Sequence, residues 1–150
     1  MASRTSAGST IRVSAAQPGT FNVAGYAALG WTAVGEITDL GEFGREYNLV
    51  THNPIGTRAT VKKKGSYNEG QINLMMALDE ADAGQLLLES AAVSDNDYSF
   101  EITLQSGRKY YFQAQVMKFK PNVGSVDNIT QASVMLELTS NSAGVGIVRT

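Results

Sequence analysis

Few residues in this chain could carry out chemistry. The sequence contains one histidine and no cysteine, which excludes disulfides, thiolate zinc sites, iron–sulfur clusters, cysteine nucleophiles and multi-histidine metal sites. His52 lies beside Asn53 and Pro54, and no serine or carboxylate pattern nearby marks a catalytic triad. We therefore interpret His52 as a surface residue, and the sequence predicts no catalytic residue, no metal site and no cofactor.

Two further patterns resemble ligand sites only in part. Asp95, Asn96 and Asp97 begin like a calcium loop but lack the glycine and the downstream glutamate of an EF-hand, so they indicate a turn after a helix. The glycine pairs at 41/44 and 144/146 do not join a strand to a helix as phosphate-binding loops do. The sequence therefore predicts that the chain is not an enzyme.

The sharpest charge feature is the run of Lys62, Lys63 and Lys64. In a strand, Lys62 and Lys64 would point to one side and Lys63 to the other. The whole chain has twelve basic and fourteen acidic residues and a formal net charge of −2, whereas a dedicated nucleic-acid binder carries a basic excess. A solvated or partner-facing ribbon is thus favoured over a DNA site.

The elements that must position these residues belong to one domain, residues 1–150. A chain of 150 residues with 43% hydrophobic residues can bury a core of its own. It has no apolar run of membrane-spanning length, and the first residues lack the apolar segment of a signal peptide. We therefore expect a soluble protein that is intracellular when made.

Alternation of apolar and polar residues predicts most of the strands. It is clearest at 98–105 and 108–118, with further strands near 11–15, 71–78 and 133–138. The apolar faces of a hairpin must coincide, so a three-residue loop at 105–107 is required, pairing Phe100 with Phe112 and placing Glu101 on the opposite, solvent-facing side. Phe100→Ala should then destabilise strongly and Glu101→Ala hardly at all.

One segment, 79–92, reads as a helix. Apolar or small residues recur there at spacings of three and four, with Leu86 and Leu87 on the inner face and Gly84 weakening the helix. Asp79, Glu80 and Asp82 would occupy its first turn. The expected fold is mainly β: an antiparallel β-sandwich or barrel with one flanking α-helix, a long protruding loop and extended terminal arms.

The protruding loop is residues 51–67, which are polar and contain too few apolar residues to be buried. The arms are residues 1–10 and 140–150, which cannot build a core of their own. Because ordering a backbone is costly, we expect the loop to be mobile in the free monomer and ordered by a partner.

The chain resembles the tail tube proteins of long, non-contractile-tailed bacteriophages, over roughly residues 20–140. The order of several blocks carries this resemblance, namely residues 31–47, 64–67, 74–88, 98–102 and 111–116. The resemblance implies a structural virion protein, the siphophage major tail protein, that assembles as hexameric rings stacked around a channel through which DNA passes without specific binding.

The resemblance also implies partners and location. The partners are other copies of the chain, the tape measure protein, and the tail tip and tail terminator proteins, with no membrane. The protein would be made and assembled in the host bacterial cytoplasm and reside in the virion tail. Two alternatives stay open: a β-sandwich binding or decoration module of a virion, and a tube protein of the secretion-system type.

Charge suggests which residues meet between subunits. Basic residues of the protruding loop would face acidic residues carried elsewhere on a neighbouring copy. The candidate contact residues are Arg58, Lys62, Lys63 and Lys64 on the basic side, and Glu36, Asp39, Glu42, Asp79, Glu80 and Asp82 on the acidic side.

Overall fold

The structure, a computed structural model, describes residues 3–150, so residues 1–2 of the expected N-terminal arm lie outside the described residues. The elements are, in chain order, β1 (Thr10–Ser14), α1 (Val23–Ala27), β2 (Thr32–Ala33), β3 (Ile37–Asp39), β4 (Glu46–His52), β5 (Val61–Asn68), β6 (Gln71–Ala77), α2 (Ala83–Ala92), β7 (Tyr98–Thr103), β8 (Lys109–Asn122), β9 (Gln131–Thr139) and β10 (Val148–Arg149).

A curled antiparallel sheet makes up most of the molecule. Its strands run in the order β2-β1-β7-β8-β9-β6-β3, and β10 also pairs with β8. The strands β4 and β5 form a separate two-stranded sheet. The expectation of a mainly β, antiparallel fold is confirmed, although the sheet is a half-barrel and carries two helices rather than one.

The core lies on one face of the main sheet, where alternate residues of the long strands meet α2. Strand β9 alternates without interruption, with Ala132, Val134, Leu136 and Leu138 buried. The predicted hairpin register is confirmed: Phe100 pairs with Phe112, their rings stack with centroids 5.5 Å apart, and both are fully buried. Gly107 adopts φ +92°, as the three-residue loop requires.

The opposite face of β7 and β8 is also covered, which the sequence reasoning missed. Tyr26 of α1 stacks on Tyr111, with ring centroids 5.3 Å apart, and Trp31 packs on the same Tyr111 ring. Glu101, expected at the solvent, is 1% exposed and pairs with Arg12. The prediction that Glu101 faces solvent is therefore wrong, because α1 and the chain that follows it cover this face of the sheet.

Helix α2 begins later and buries a different face than predicted. Its N-cap is Asp82, whose carboxylate accepts from the Gln85 N–H at 3.0 Å, so Asp79 and Glu80 precede the helix. Gly84, Gln85, Leu88 and Ala91 form the buried face, and Leu86 is half exposed. Close packing requires glycine at position 84, since a Cβ there would lie 2.2 Å from the Ala33 carbonyl oxygen.

The C-terminal arm is tied to the sheet rather than free. Strand β10 pairs with β8 at Val148–Tyr111 and Arg149–Tyr110, and the Thr150 N–H donates to the Lys109 carbonyl at 3.0 Å. Ile147 packs against the core. The arm predicted at residues 140–150 is thus anchored on the core of the main sheet by its last residues, whereas residues 3–8 of the N-terminal arm are exposed.

Candidate assembly surfaces

The segment expected to be a long loop is a protruding β-hairpin, which we call the ribbon (residues 46–68). Strands β4 and β5 pair from Glu46–Asn68 to His52–Val61, and almost every residue of both strands is exposed. Residues 51–67 therefore form one strand and a turn of a paired ladder, not an irregular loop. The sequence reasoning missed β4 as the partner strand because exposure on both faces removes the alternation that marks a strand.

Apolar side chains are exposed along the ribbon. Leu49 is 66% exposed, Val50 is half exposed, and Ile55 at the turn is fully exposed. Val61 is also exposed. An isolated two-stranded hairpin is at best marginally stable in water, and clustered exposed apolar residues mark interaction sites. The ribbon thus has the composition of a surface that another molecule covers.

The base of the ribbon is fastened to the main body. Arg45 donates from Nε and Nη2 to Glu69 Oε1, at 3.1 and 2.9 Å, and Glu69 is buried. The Arg45 Cζ lies 3.8 Å from the Tyr67 ring centroid. The Tyr67 hydroxyl donates to the Gly144 carbonyl oxygen at 3.0 Å. The hydrogen bond from Arg45 to the Tyr47 hydroxyl raises the pKa of the guanidinium. The contacts of Arg45 and Tyr67 together fix the position of the ribbon's base on the main body.

The four basic candidate residues all lie on the ribbon. Lys62, Lys63 and Lys64 pair with Thr51, Val50 and Leu49 in turn, and Arg58 lies in the turn region. Lys64 Nζ lies 4.7 Å from the Tyr47 ring centroid. Across residues 3–150, none of the four forms an ion pair.

The acidic candidates divide into two groups. Glu36, Asp79 and Glu80 line one open groove of about 640 Å³, together with Leu78 and Thr130. We call this the acidic groove. Buried Gln85 fixes its wall, since its amide donates to the carbonyls of Gly35 and Ala77 and its Oε1 accepts from the Asp79 N–H at 3.0 Å.

The remaining three acidic candidates lie elsewhere. Asp82 caps α2 and accepts from the Gly35 N–H at 3.1 Å, so its carboxylate holds the chain's own structure. Asp39 accepts from the Gly41 N–H at 2.7 Å. Glu42 lies near the ribbon base, where it lines a depression with Arg45 and Glu46. The structure thus brings three of the six acidic candidates together.

A second exposed apolar feature is the β8–β9 loop, residues 123–130. Strand β8 continues through Pro121 to Asn122, so the turn begins later than its proline suggests. Val123, Val126 and Ile129 in this loop are 67%, 98% and 74% exposed. The sequence signal was present as three apolar residues in a stretch otherwise made of Gly, Ser, Asp, Asn and Thr, but it has no periodicity to mark it.

The residues weighed for chemistry lie apart. His52 is exposed on the ribbon, and Asp95–Asp97 follow the end of α2 as a turn. In the described part of the chain, no three His, Cys, Asp or Glu side chains are grouped to hold a metal ion. None of the helices within residues 3–150 is long and apolar enough to cross a membrane.

Comparisons with known proteins bear on the fold. No family model matches the chain, and no curated protein matches it in sequence. A chain in the cryo-EM structure of the anti-feeding prophage baseplate, 6-fold symmetrised, is similar with a TM-score of 0.70 and 9% identity, over 93% of this chain and 94% of that one.

A second similar chain belongs to the cryo-EM structure of an extracellular contractile injection system, the PVC sheath/tube terminator in the extended state. The TM-score is 0.67 at 9% identity, over 100% of this chain and 98% of that chain. These likenesses agree with the tail tube resemblance at the level of the fold. The chain therefore has a fold that also occurs in phage-like injection assemblies.

Proposed function

We propose that the chain is a non-enzymatic structural protein that assembles with copies of itself into hexameric rings, stacked as a hollow tail-type tube. The ribbon carries this proposal: it is a two-stranded hairpin outside the main sheet with exposed Leu49, Val50 and Ile55. Such a hairpin has little stability of its own in water, and its apolar side chains form a surface suited to contact with a neighbouring copy. The fold shared with chains of a baseplate and of a sheath/tube terminator supports the same conclusion.

Ring closure would use the edges of the main sheet. Strand β3 pairs with β6 only at Met75 and Met76, and β2 pairs with β1 only at Arg12 and Val13. Both strands lie at the ends of the strand order, with no further strand beside them in the described part of the chain, and such sheet edges accept a neighbouring strand readily. Because the two edges differ, contact between them is heterologous, the type that closes a ring.

Two kinds of tube are candidates: a phage tail tube and the tube of an injection assembly. The sequence resemblance favours the tail tube of a long non-contractile-tailed phage, with DNA passing through the lumen and with the tape measure, tail tip and terminator proteins as partners. One fold neighbour belongs to a prophage baseplate and the other to an extracellular contractile injection system, which favours a tube of that kind. In the first case the net charge of −2 suits a channel wall that does not bind phosphate.

A binding or decoration module of a virion is the other class of function. It would use the ribbon to grip a ligand and would remain a monomer or a small oligomer. The ribbon has exposed apolar residues on a basic hairpin, which suits contact with a protein surface better than binding of a small ligand.

Electron microscopy and sedimentation velocity of the purified chain over a range of concentrations test the proposal. We expect rings and hollow tubes as concentration rises. A variant with residues 49–65 replaced by a Gly/Ser turn keeps the Arg45–Glu69 pair and the main sheet, so it should fold as a monomer but form no tubes. Small particles at every concentration, with and without tail-tip extract, contradict the tube proposal and favour the binding module.

A further inference from the structure

The ribbon and the acidic groove lie at opposite ends of the same strand, β6. The ribbon joins the sheet where β6 begins, since β5 ends at Asn68 and β6 starts at Gln71. The groove contains Ala77 and Leu78, at the other end of β6. A strand of this length spans about 20 Å. The two ends of β6 therefore carry chemically distinct surfaces, which we call the ribbon pole and the groove pole.

The β8–β9 loop lies at the groove pole. Gln131 of β9 pairs with both Ala77 of β6 and Asn122 of β8, and the Leu78 N–H donates to the Thr130 carbonyl at 2.8 Å. The loop that carries the exposed Val123, Val126 and Ile129 therefore borders the acidic groove at Thr130. This pole combines an apolar loop with three carboxylates.

The ribbon has the complementary composition. Its exposed apolar residues are Leu49, Val50, Ile55 and Val61, and its cations are Arg58 and Lys62–Lys64. Glu36 and Glu80 form no ion pair within the described chain, and neither do the ribbon cations. Apolar contact would supply affinity, and the opposite charges would set orientation and register.

We propose that the ribbon of one copy docks on the β8–β9 loop and acidic groove of a copy in the next ring. This inference rests on the proposed function and names its axial contact. Because donor and acceptor are different surfaces at opposite poles, the contact is heterologous, and each added ring presents a fresh acceptor, so stacking does not end by itself. The Gln85 hydrogen bonds hold the groove in shape before docking, which lowers the ordering cost on the acceptor side.

Introduced cysteines provide the test, because the native chain has none. Ile55→Cys lies at the ribbon turn and Val126→Cys in the β8–β9 loop, and both sites are almost fully exposed, so neither change should affect folding. Tubes of the double variant, oxidised mildly, should give a covalent ladder that extends beyond the hexamer. A matched control combines Ile55→Cys with Val93→Cys, which is equally exposed but lies after α2. We expect the Val126 pair to crosslink about tenfold more than the control.

The outcomes separate this inference from the proposed function. Tubes that form without the Ile55–Val126 disulfide, or that crosslink equally in the Val93 control, overturn the docking site and leave the tube intact. A ladder that stops at the hexamer places the contact within a ring and also overturns it. If the unmodified chain forms no tubes at all, the proposed function fails and takes this inference with it.

Charge reversal gives an independent measurement. Lys62→Glu with Lys63→Glu should reduce the yield of tubes, and adding Glu36→Lys with Glu80→Lys in the same chain should restore it. All four side chains are exposed, so circular dichroism of each variant should match that of the native monomer. Failure of the groove reversal to rescue the ribbon reversal, with all variants folded, contradicts the proposed pairing.

Discussion

The Arg45 guanidinium carbon lies 3.8 Å from the ring centroid of Tyr67, while the same guanidinium binds Glu69 through two nitrogens. One side chain thus links the ribbon strand β5 to a buried carboxylate. The stacking uses the weakly hydrated planar face of arginine, and the paired hydrogen bonds use its edge. Lysine cannot do both.

Arg45→Ala should loosen the ribbon without unfolding the main sheet. The change leaves the Glu69 carboxylate buried and unpaired, which is strongly unfavourable, and removes the contact with Tyr67. Hydrogen exchange of the β4 and β5 amides should become faster while protection of β7 and β8 stays the same. Arg45→Lys should restore only part of the protection, and Lys63→Ala, a control on the same ribbon, should change nothing. Equal loss of protection in both sheets contradicts this view of the anchor.

Phe100→Ala or Phe112→Ala should lower the free energy of unfolding by about 3–5 kcal/mol, because each ring is fully buried against the other. Urea denaturation measures the change. Leu86→Ala, on the half-exposed face of α2, serves as the control and should stay within about 0.5 kcal/mol of the native value. Similar losses in all three variants mean that α2 is packed differently.

Removing Arg12 should cost more than changing its partner. Arg12→Ala leaves the Glu101 carboxylate 1% exposed with only Lys109 Nζ, 4.0 Å away, as a cation, so we expect a loss of about 3 kcal/mol. Glu101→Gln keeps an acceptor for Arg12 and fills the same space, so its loss should be smaller, about 1–2 kcal/mol. Thermal unfolding of both variants at neutral pH decides the order, and the reverse order contradicts the burial of Glu101.

Gly84→Ala should destabilise the protein although alanine favours helices. The gain in helix propensity is about 1 kcal/mol, but the new Cβ would lie 2.2 Å from the Ala33 carbonyl oxygen and 2.6 Å from Val34 Cα. Displacing that backbone should cost about 1–3 kcal/mol, so the melting temperature should fall. Gly56→Ala, where a Cβ meets nothing within 4 Å, is the matched control. A stabilising Gly84→Ala means that α2 does not approach β2 closely.

Alkaline pH should destabilise the packing of Tyr26 on Tyr111, which covers one face of β7 and β8. Burial raises the pKa values of Tyr26 and Tyr111 above the ordinary 10.0. The unfolded chain therefore loses these protons first, and the free energy of unfolding decreases as the pH rises from about 10 through the folded pKa values. Denaturation at several pH values measures this slope, which should shrink in Tyr26→Phe.

Local alternation was enough to predict the β7–β8 register. Both strands bury their even-numbered apolar residues, and a loop of three residues at 105–107 is the one that brings the two apolar faces to the same side. It failed for Glu101, since the cover over that residue comes from α1, which is only five residues long and too short to show helical periodicity. It also misplaced the inner face of α2: Leu86 and Leu88 lie on opposite faces of the helix, and tertiary contacts decide that the face with Leu88 is the buried one. The acidic groove was predicted only as scattered carboxylates, because no local pattern brings Glu36 beside Asp79.

The pairing of β1 with β7 has a consequence for the order of folding. The Arg12–Glu101 contact joins residues 89 positions apart, whereas β7–β8, β8–β9 and β4–β5 are hairpins between neighbours in the chain. Closing so long a loop is slow and entropically costly, and it becomes favourable only when the receiving edge already exists. We therefore expect β1 to add last and to detach first. In pulsed hydrogen exchange during refolding, the β1 amides should gain protection after those of β8 and β9, so a newly made subunit passes through a stage in which the outer edge of β7 is open to a strand from another chain.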